Sequence, residues 1–233
     1  MRRLLPLILL LAAAPAGDQR SFIVSGFDRL RVDGPFEVAV VPGSSPDAHA
    51  EGTRDALDRV QVRTDGTTLV VSAGTLGWEV RARDAITLPK VTVVAPSLRS
   101  VLITGGGKVD VAELKGQRVE ATVNGAGSLS IANVDAESFS GSLTGGGSIL
   151  VSGKAGQANF NSLGFGSIDA SGLIAGDLVV RSNSTGGGHY AARFTARVTA
   201  MATGSVRVEG QPKCFLSGTG PISCGDNSNV ERR

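Results

Sequence analysis

The sequence has 233 residues, 41% of them hydrophobic but only 4% aromatic, with 32 glycines and a formal charge of +2. So few rings exclude a thick two-layer core and leave a thin interior of Val, Leu, Ile and Ala. Loss of Arg2 and Arg3 with a leader would bring the 23 basic residues level with the 21 acidic ones, which excludes the basic surplus of a nucleic-acid binder.

The chain opens on Arg2 and Arg3, an apolar run over residues 4–14 and the small residues Ala14, Pro15 and Ala16. This pattern predicts a secretory signal peptide over residues 1–16. The run is about half the ~20 residues that a membrane-spanning helix needs. No cysteine follows it to carry a lipid, and no later stretch is long and apolar enough to span a bilayer. The expected product is exported, whether periplasmic, displayed at the cell surface or secreted.

Residues 17–96 predict an N-terminal β section or cap. Apolar and polar residues alternate over 30–32, 36–40, 60–62 and 69–71, the period of half-buried strands, here read as antiparallel in style. Turn residues separate them at Asp33-Gly34-Pro35, Pro42-Gly43-Ser44 and Asp65-Gly66, and the last suits a tight hairpin. Residues 53–59 form the one expected helical turn. His49 falls in a stretch, 46–52, that reads as a solvated loop. Trp78, with Arg81 and Arg83, reads as a cap over strand edges that the first coil would otherwise expose.

Residues 97–225 are periodic. TGGG at 104, NGAG at 124, TGGG at 144, LGFG at 163, TGGG at 185, MATG at 201 and SGTG at 217 recur at spacings of 20, 20, 19, 22, 16 and 16. The corner glycines so defined are Gly105, Gly107, Gly125, Gly127, Gly145, Gly147, Gly164, Gly166, Gly186, Gly188, Gly204, Gly218 and Gly220. Aligning the motifs gives apolar columns: Val109, Leu129, Ile149, Ile168, Tyr190, Val206, Ile222, then Val111, Ile131, Val151, Ala170, Ala192, Val208, Cys224. On the other side of the corner a third column reads Val101, Ala121, Gly141, Phe160, Ser182, Val198, Cys214. Positions between the first two columns, among them Asp110, Ser130 and Asp169, are mostly polar. A short coil cannot bury an apolar face alone, whereas stacked coils pair their backbones along one axis and share a narrow core. The fold predicted is all-β, a parallel β-solenoid with an N-terminal cap section; an antiparallel sandwich or barrel is the rival. Cys214 and Cys224 occupy inward columns of the last coil, and export would place them where disulfides persist, so they are expected to be bonded. Residues 226–233 are polar and read as a disordered tail.

Phe27, Leu30, Val32, Gly34, Phe36, Val38 and Val40, followed by Leu57, Val60, Val62, Gly66, Leu69 and Val71, resemble the N-terminal pattern of the GIN-domain family. Val91, Val93, Pro96, Leu98 and Val101, leading into Gly105, Gly107 and the corners to Gly220, extend the resemblance over the mature chain. The family comprises exported bacterial domains described as autotransporter adhesin heads, of unassigned function. The resemblance implies adhesion at the envelope and carries no catalytic residues. No stretch reads as a membrane-inserted autotransporter barrel.

Candidate chemistries are few. Gly153-Lys154-Ala155 lacks the leading glycine and the hydroxyl of a phosphate loop, and a period near 20 is not that of a calcium-binding nonapeptide β-helix. His49 and His189 have no cysteine spacing that would hold zinc; His189, after TGGG, reads as an exposed corner. The serines recur as turn residues without a matched histidine. No catalytic, cofactor or metal residue is therefore assigned. The reading is a cofactor-free binding or structural module that meets an envelope protein or glycan through its repeated outward face. The alternative is a carbohydrate-active β-helix enzyme, a polysaccharide lyase or hydrolase, which needs acids, or an acid with Arg or Lys, gathered in one groove.

Overall fold

The computed structural model describes residues 18–74, 89–225 and 230–232. The signal peptide read over residues 1–16 and the capping role read for Trp78, Arg81 and Arg83 lie outside the described residues. The N-terminal section contains β1 (Asp18–Phe22), β2 (Arg29–Asp33), β3 (Glu37–Pro42), β4 (Asp47–Gly52), α1 (Arg54–Asp58), β5 (Val60–Asp65), β6 (Thr68–Ala73) and β7 (Lys90–Ala95). There follow β8 (Ser100–Gly105), β9 (Lys108–Gly125), β10 (Ser128–Gly145), β11 (Ser148–Gly164), β12 (Ser167–Ser184), β13 (Gly188–Ala200), β14 (Val206–Glu209), β15 (Lys213–Ser217), β16 (Ile222–Cys224) and β17 (Val230–Arg232). They wind into a parallel β-solenoid of about six turns.

The N-terminal strands are part of that winding. β2 lies in parallel between β6 and β8, and β3 in parallel between β7 and β9. The chain thus builds an inner coil first, an outer one second, and only then continues the stack. The antiparallel reading of this section holds for β5 on β6, joined through Gly66, and for β4 on β7 and β1 on β4, but not for β2, β3 or β7 against their stack neighbours. The stretch read as a loop around His49 is β4. Its inward side chains, Ala48 and Ala50, are fully buried but too small to give a legible alternation. The helical turn is present, and the Thr53 hydroxyl caps it by accepting from the Ala56 amide at 3.3 Å.

In β9 and β10 the inward alternation breaks twice between one glycine corner and the next, so each long strand bends around the coil. Parallel pairing places Val38, Val109, Leu129, Ile149 and Ile168 on successive rungs, all essentially inaccessible to solvent. Beyond Ile168 the alignment is corrected by two residues. Ile168 meets Gly188, not Tyr190; Tyr190 stands between Ala170 and Val208. The third column likewise continues Phe160, Val180, Val198, Leu216, and Cys214 follows Ala196. The cause is Ser184, which takes the place that glycine holds in the four preceding corners, so that TGGG at 185 is not in register with TGGG at 144.

Three of the rings form an internal ladder. Phe139 and Phe160 lie 5.5 Å apart between centroids, and Phe160 and Tyr190 4.9 Å. Gly141 and Gly188 leave the room: a Cβ on Gly141 would stand 2.7 Å from the Phe160 ring, and one on Gly188 2.6 Å from that of Tyr190. The Tyr190 hydroxyl is buried with no hydrogen-bond partner, and burial pushes its pKa well above the usual phenol value. Because the unfolded chain ionises first, near pH 10, this group contributes stability that is complete below that pH and is lost as pH rises above it. Tyr190→Phe removes an unpaired buried hydroxyl while keeping the ring. It is expected to raise the unfolding free energy by about 1 kcal/mol and to flatten the alkaline loss, measured by urea denaturation between pH 8 and 11.

At the far end, β14 and β16 continue one side of the coil and β15 and β17 the other. Part of the segment read as a disordered tail is therefore a strand: Val230 pairs with Cys214, extending the inward column that contains Val119, Phe139 and Leu178. A single valine among polar residues is a faint signal, but the open edge of β15 supplies the backbone partners.

Candidate functional site

The glycines stack as two lines along one edge. Gly105, Gly125, Gly145 and Gly164 share a rung position and all have positive φ. Gly107, Gly127, Gly147, Gly166, Gly186 and Gly204 form the second line, where a Cβ on each from Gly127 onward would run into the carbonyl of the one before. Gly218 and Gly220 close the edge against Ala200 and Ala202. Gly188 is the exception among the residues assigned to corners: it is buried at the start of β13 beneath Tyr190. Ser184 substitutes for the missing glycine with its hydroxyl, which donates to the Gly166 carbonyl at 3.0 Å and accepts from the Gly186 amide at 3.1 Å. Cys214 and Cys224 are disulfide-bonded, with Cα atoms 6.5 Å apart.

Outward columns on the strands before the corner are mainly small and polar. Thr122, Ser142, Asn161, Arg181, Thr199 and Ser217 follow one another rung by rung. Rungs of parallel sheet are about 4.8 Å apart, so these side chains form a regular ladder on a surface whose backbone groups are already paired. On the opposite strands Asp169 is followed by His189 and Arg207. The Ser171 hydroxyl and amide, both donating to the Asp169 carboxylate, hold its pKa below the ordinary value, with a smaller effect from the neighbouring His189. His189 is exposed as expected, whereas His49 is partly buried 3.6 Å from Asp47. Among the described residues no group of three or more His, Cys, Asp or Glu could hold a metal ion, and no helix is long and apolar enough to cross a membrane.

A groove of about 910 Å³ is lined by Arg99, Gly116, Gln117, Arg118, Glu137, Ser138, Gly156, Gln157 and Asp177. It follows a second edge, away from the glycine corners, where Gly116, Ala136, Ala155 and Ala175 succeed one another on adjacent rungs. Gly116 and Gly156 leave the trough, and Arg118, Ser138, Gln157 and Asp177, on successive rungs, form its polar wall. Arg99 is held at one end by Asp28 at 2.6 Å; Asp177 accepts from the Thr195 hydroxyl at 2.6 Å. None of these residues stands out when the chain is read alone. The legible signal was a second line of Gly and Ala at nearly the same period as the corners, offset from TGGG by about half a coil.

A family model described as "Putative auto-transporter adhesin, head GIN domain" matches residues 26–212. No curated protein sequence matches the chain. Several solved structures share its fold. A "putative adhesin" from Bacteroides fragilis superposes with a TM-score of 0.81 at 21% identity, covering 89% of this chain and 95% of that one. A "putative adhesin" from Parabacteroides merdae gives 0.63 at 17% identity with the same coverage, 89% and 95%. A "putative lipid binding protein" from Parabacteroides distasonis gives 0.56 at 16% identity over 94% of this chain and 97% of that one. With the match covering the corner edge, the groove and all but the last coil, the chain belongs to the GIN-domain family of auto-transporter adhesin heads.

Proposed function

We propose that the protein is an exported, non-catalytic adhesion module that holds an envelope protein or glycan against its outward polar ladder. The observation that carries this reading is the repetition of Thr122, Ser142, Asn161 and their successors on consecutive rungs. Such a surface offers many equivalent, weak hydrogen-bonding positions along one axis, which suits an extended or repetitive partner. The family's description as adhesin heads supports the same reading.

The test is binding of the purified chain from residue 17 onward to an array of envelope proteins and glycans, with turnover monitored. Wild type is expected to retain at least one class of ligand. Ser142→Glu with Asn161→Glu is expected to weaken that binding by about tenfold, since two poorly paired carboxylates would face the partner, while the protein stays folded, its thermal midpoint lowered only slightly by the two like charges on adjacent rungs. No retention of any ligand, or retention indifferent to the double variant, overturns the ladder as the contact surface.

One observation favours the enzymatic alternative. The groove carries two acids, Glu137 and Asp177, and a pair of carboxyl groups in one groove is what glycoside hydrolases use. Release of reducing ends from any arrayed polysaccharide, abolished by Glu137→Gln, would establish that reading in place of the first.

A further inference from the structure

We propose that the groove at the second edge binds a neutral oligosaccharide lying along the solenoid axis, with the Phe194 ring as its stacking platform. This rests on the reading of the protein as a binding module and names the ligand class and the place.

Four observations converge on it. The trough, at about 910 Å³, is within the size range of small-ligand sites and runs across several rungs, so it suits a short chain rather than a compact molecule. Its wall is made of groups that exchange hydrogen bonds with hydroxyls: the amides of Gln117 and Gln157, the Ser138 hydroxyl, and the charged ends of Arg118 and Glu137. Arg99 is already paired with Asp28, and Asp177 is engaged by Thr195. Arg118 and Glu137 make no ion pair with the described residues. The lining carries two cations, Arg99 and Arg118, and two anions, Glu137 and Asp177, a balance that favours a neutral ligand over a polyanion or polycation.

Phe194 supplies the apolar element. It is 67% exposed, unusual in a chain with so few rings, and its Cδ2 lies 3.5 Å from where a Cβ of Gly176 would stand. Gly176 is adjacent in sequence to Asp177 of the groove wall, and a Cβ on it would approach the carbonyl of Gly156, another groove residue. The ring thus reaches Gly176, beside the Asp177 end of the trough, where it offers an apolar surface to the C–H side of a sugar. A peptide ligand is disfavoured by the backbone. A strand joins a sheet at an unpaired edge, whereas Ser138 and Gln157, at the middle of the groove, are paired on both sides.

The experiment is calorimetric titration of the chain from residue 17 onward with cellohexaose, maltohexaose and chitohexaose, and with hexagalacturonate as the charged probe. At least one neutral hexasaccharide is expected to bind. Phe194→Ala and Gln157→Ala are each expected to weaken it by about tenfold. Phe165→Ala, which removes an exposed ring from the glycine-corner edge, leaves affinity unchanged. Thermal midpoints equal to wild type show that each variant is folded. The inference is overturned if no neutral hexasaccharide binds, if only hexagalacturonate binds, or if Phe194→Ala and Gln157→Ala bind like wild type. Retention of envelope proteins on the array alongside any of those results leaves the adhesion reading standing, whereas an array that retains nothing removes both.

Discussion

Gly145→Ala is expected to destabilise the protein by about 3–5 kcal/mol, lowering the thermal midpoint by about 10 °C or more. Gly145 has φ +110°, a region that side-chain-bearing residues adopt only under strain. The ideal Cβ position is also 2.6 Å from the carbonyl oxygen of Gly125, one rung below. That oxygen accepts hydrogen bonds from the amides of Gly146 and Gly147 at 3.0 and 2.9 Å. The methyl group cannot be accommodated by a side-chain rotation; one coil must move away from the other and weaken both bonds. Gly106→Ala is the control: it is one residue beyond a corner glycine, with open space around the added methyl, and is expected to change stability by less than about 0.5 kcal/mol. Equal effects of the two substitutions, measured by thermal and urea denaturation, would show that composition rather than coil contact governs the edge.

The same contact explains how much could be read from the sequence. Where glycine occupied the corner, as at 105, 125, 145 and 164, the period placed the three aligned columns beside it in register, because a chain that must return to the same clash-free position has a fixed coil length; the columns through Leu114 and Val119, farther from the corner, went unread. The alignment slipped where Ser184 solved the corner differently, by stitching the carbonyl of Gly166 to the amide of Gly186 through its hydroxyl. A serine in a serine-rich chain gives no hint of that role. Tyr190 was read as inward, and it is, but its partner in volume is Gly188 on its own rung, a compensation visible only once the rings are placed. β4 and β17 escaped notice because they are recruited by neighbouring edges rather than by their own alternation. The groove was missed for a different reason. Its floor is defined by missing side chains at Gly116 and Gly156, and its wall by Arg, Gln, Ser, Glu and Asp residues that resemble those of any outward column. Shape made of absences leaves only a faint periodicity.

Reduction, or the double substitution Cys214→Ala with Cys224→Ala, is expected to cost about 3 kcal/mol, nearly all of it at one end of the molecule. In the chain-entropy account a bond that closes a loop of about ten residues restricts the unfolded state by roughly that amount, and the separation of Cys214 and Cys224 in sequence is 10 residues. Both side chains are almost wholly buried, on strands that pair with the last of the stack: β15 with β17 and β14 with β16. In a solenoid each coil is stabilised by its neighbours, so a terminal coil has one stabilising contact surface where an internal coil has two. Removing the bond should therefore let β14 to β17 open independently of the remainder. Amide hydrogen exchange is expected to accelerate across residues 206–224, with little change in β9 to β11, where rungs are paired on both sides. Uniform acceleration along the whole chain would instead mean that the solenoid unfolds as one unit, and that the disulfide stabilises it globally.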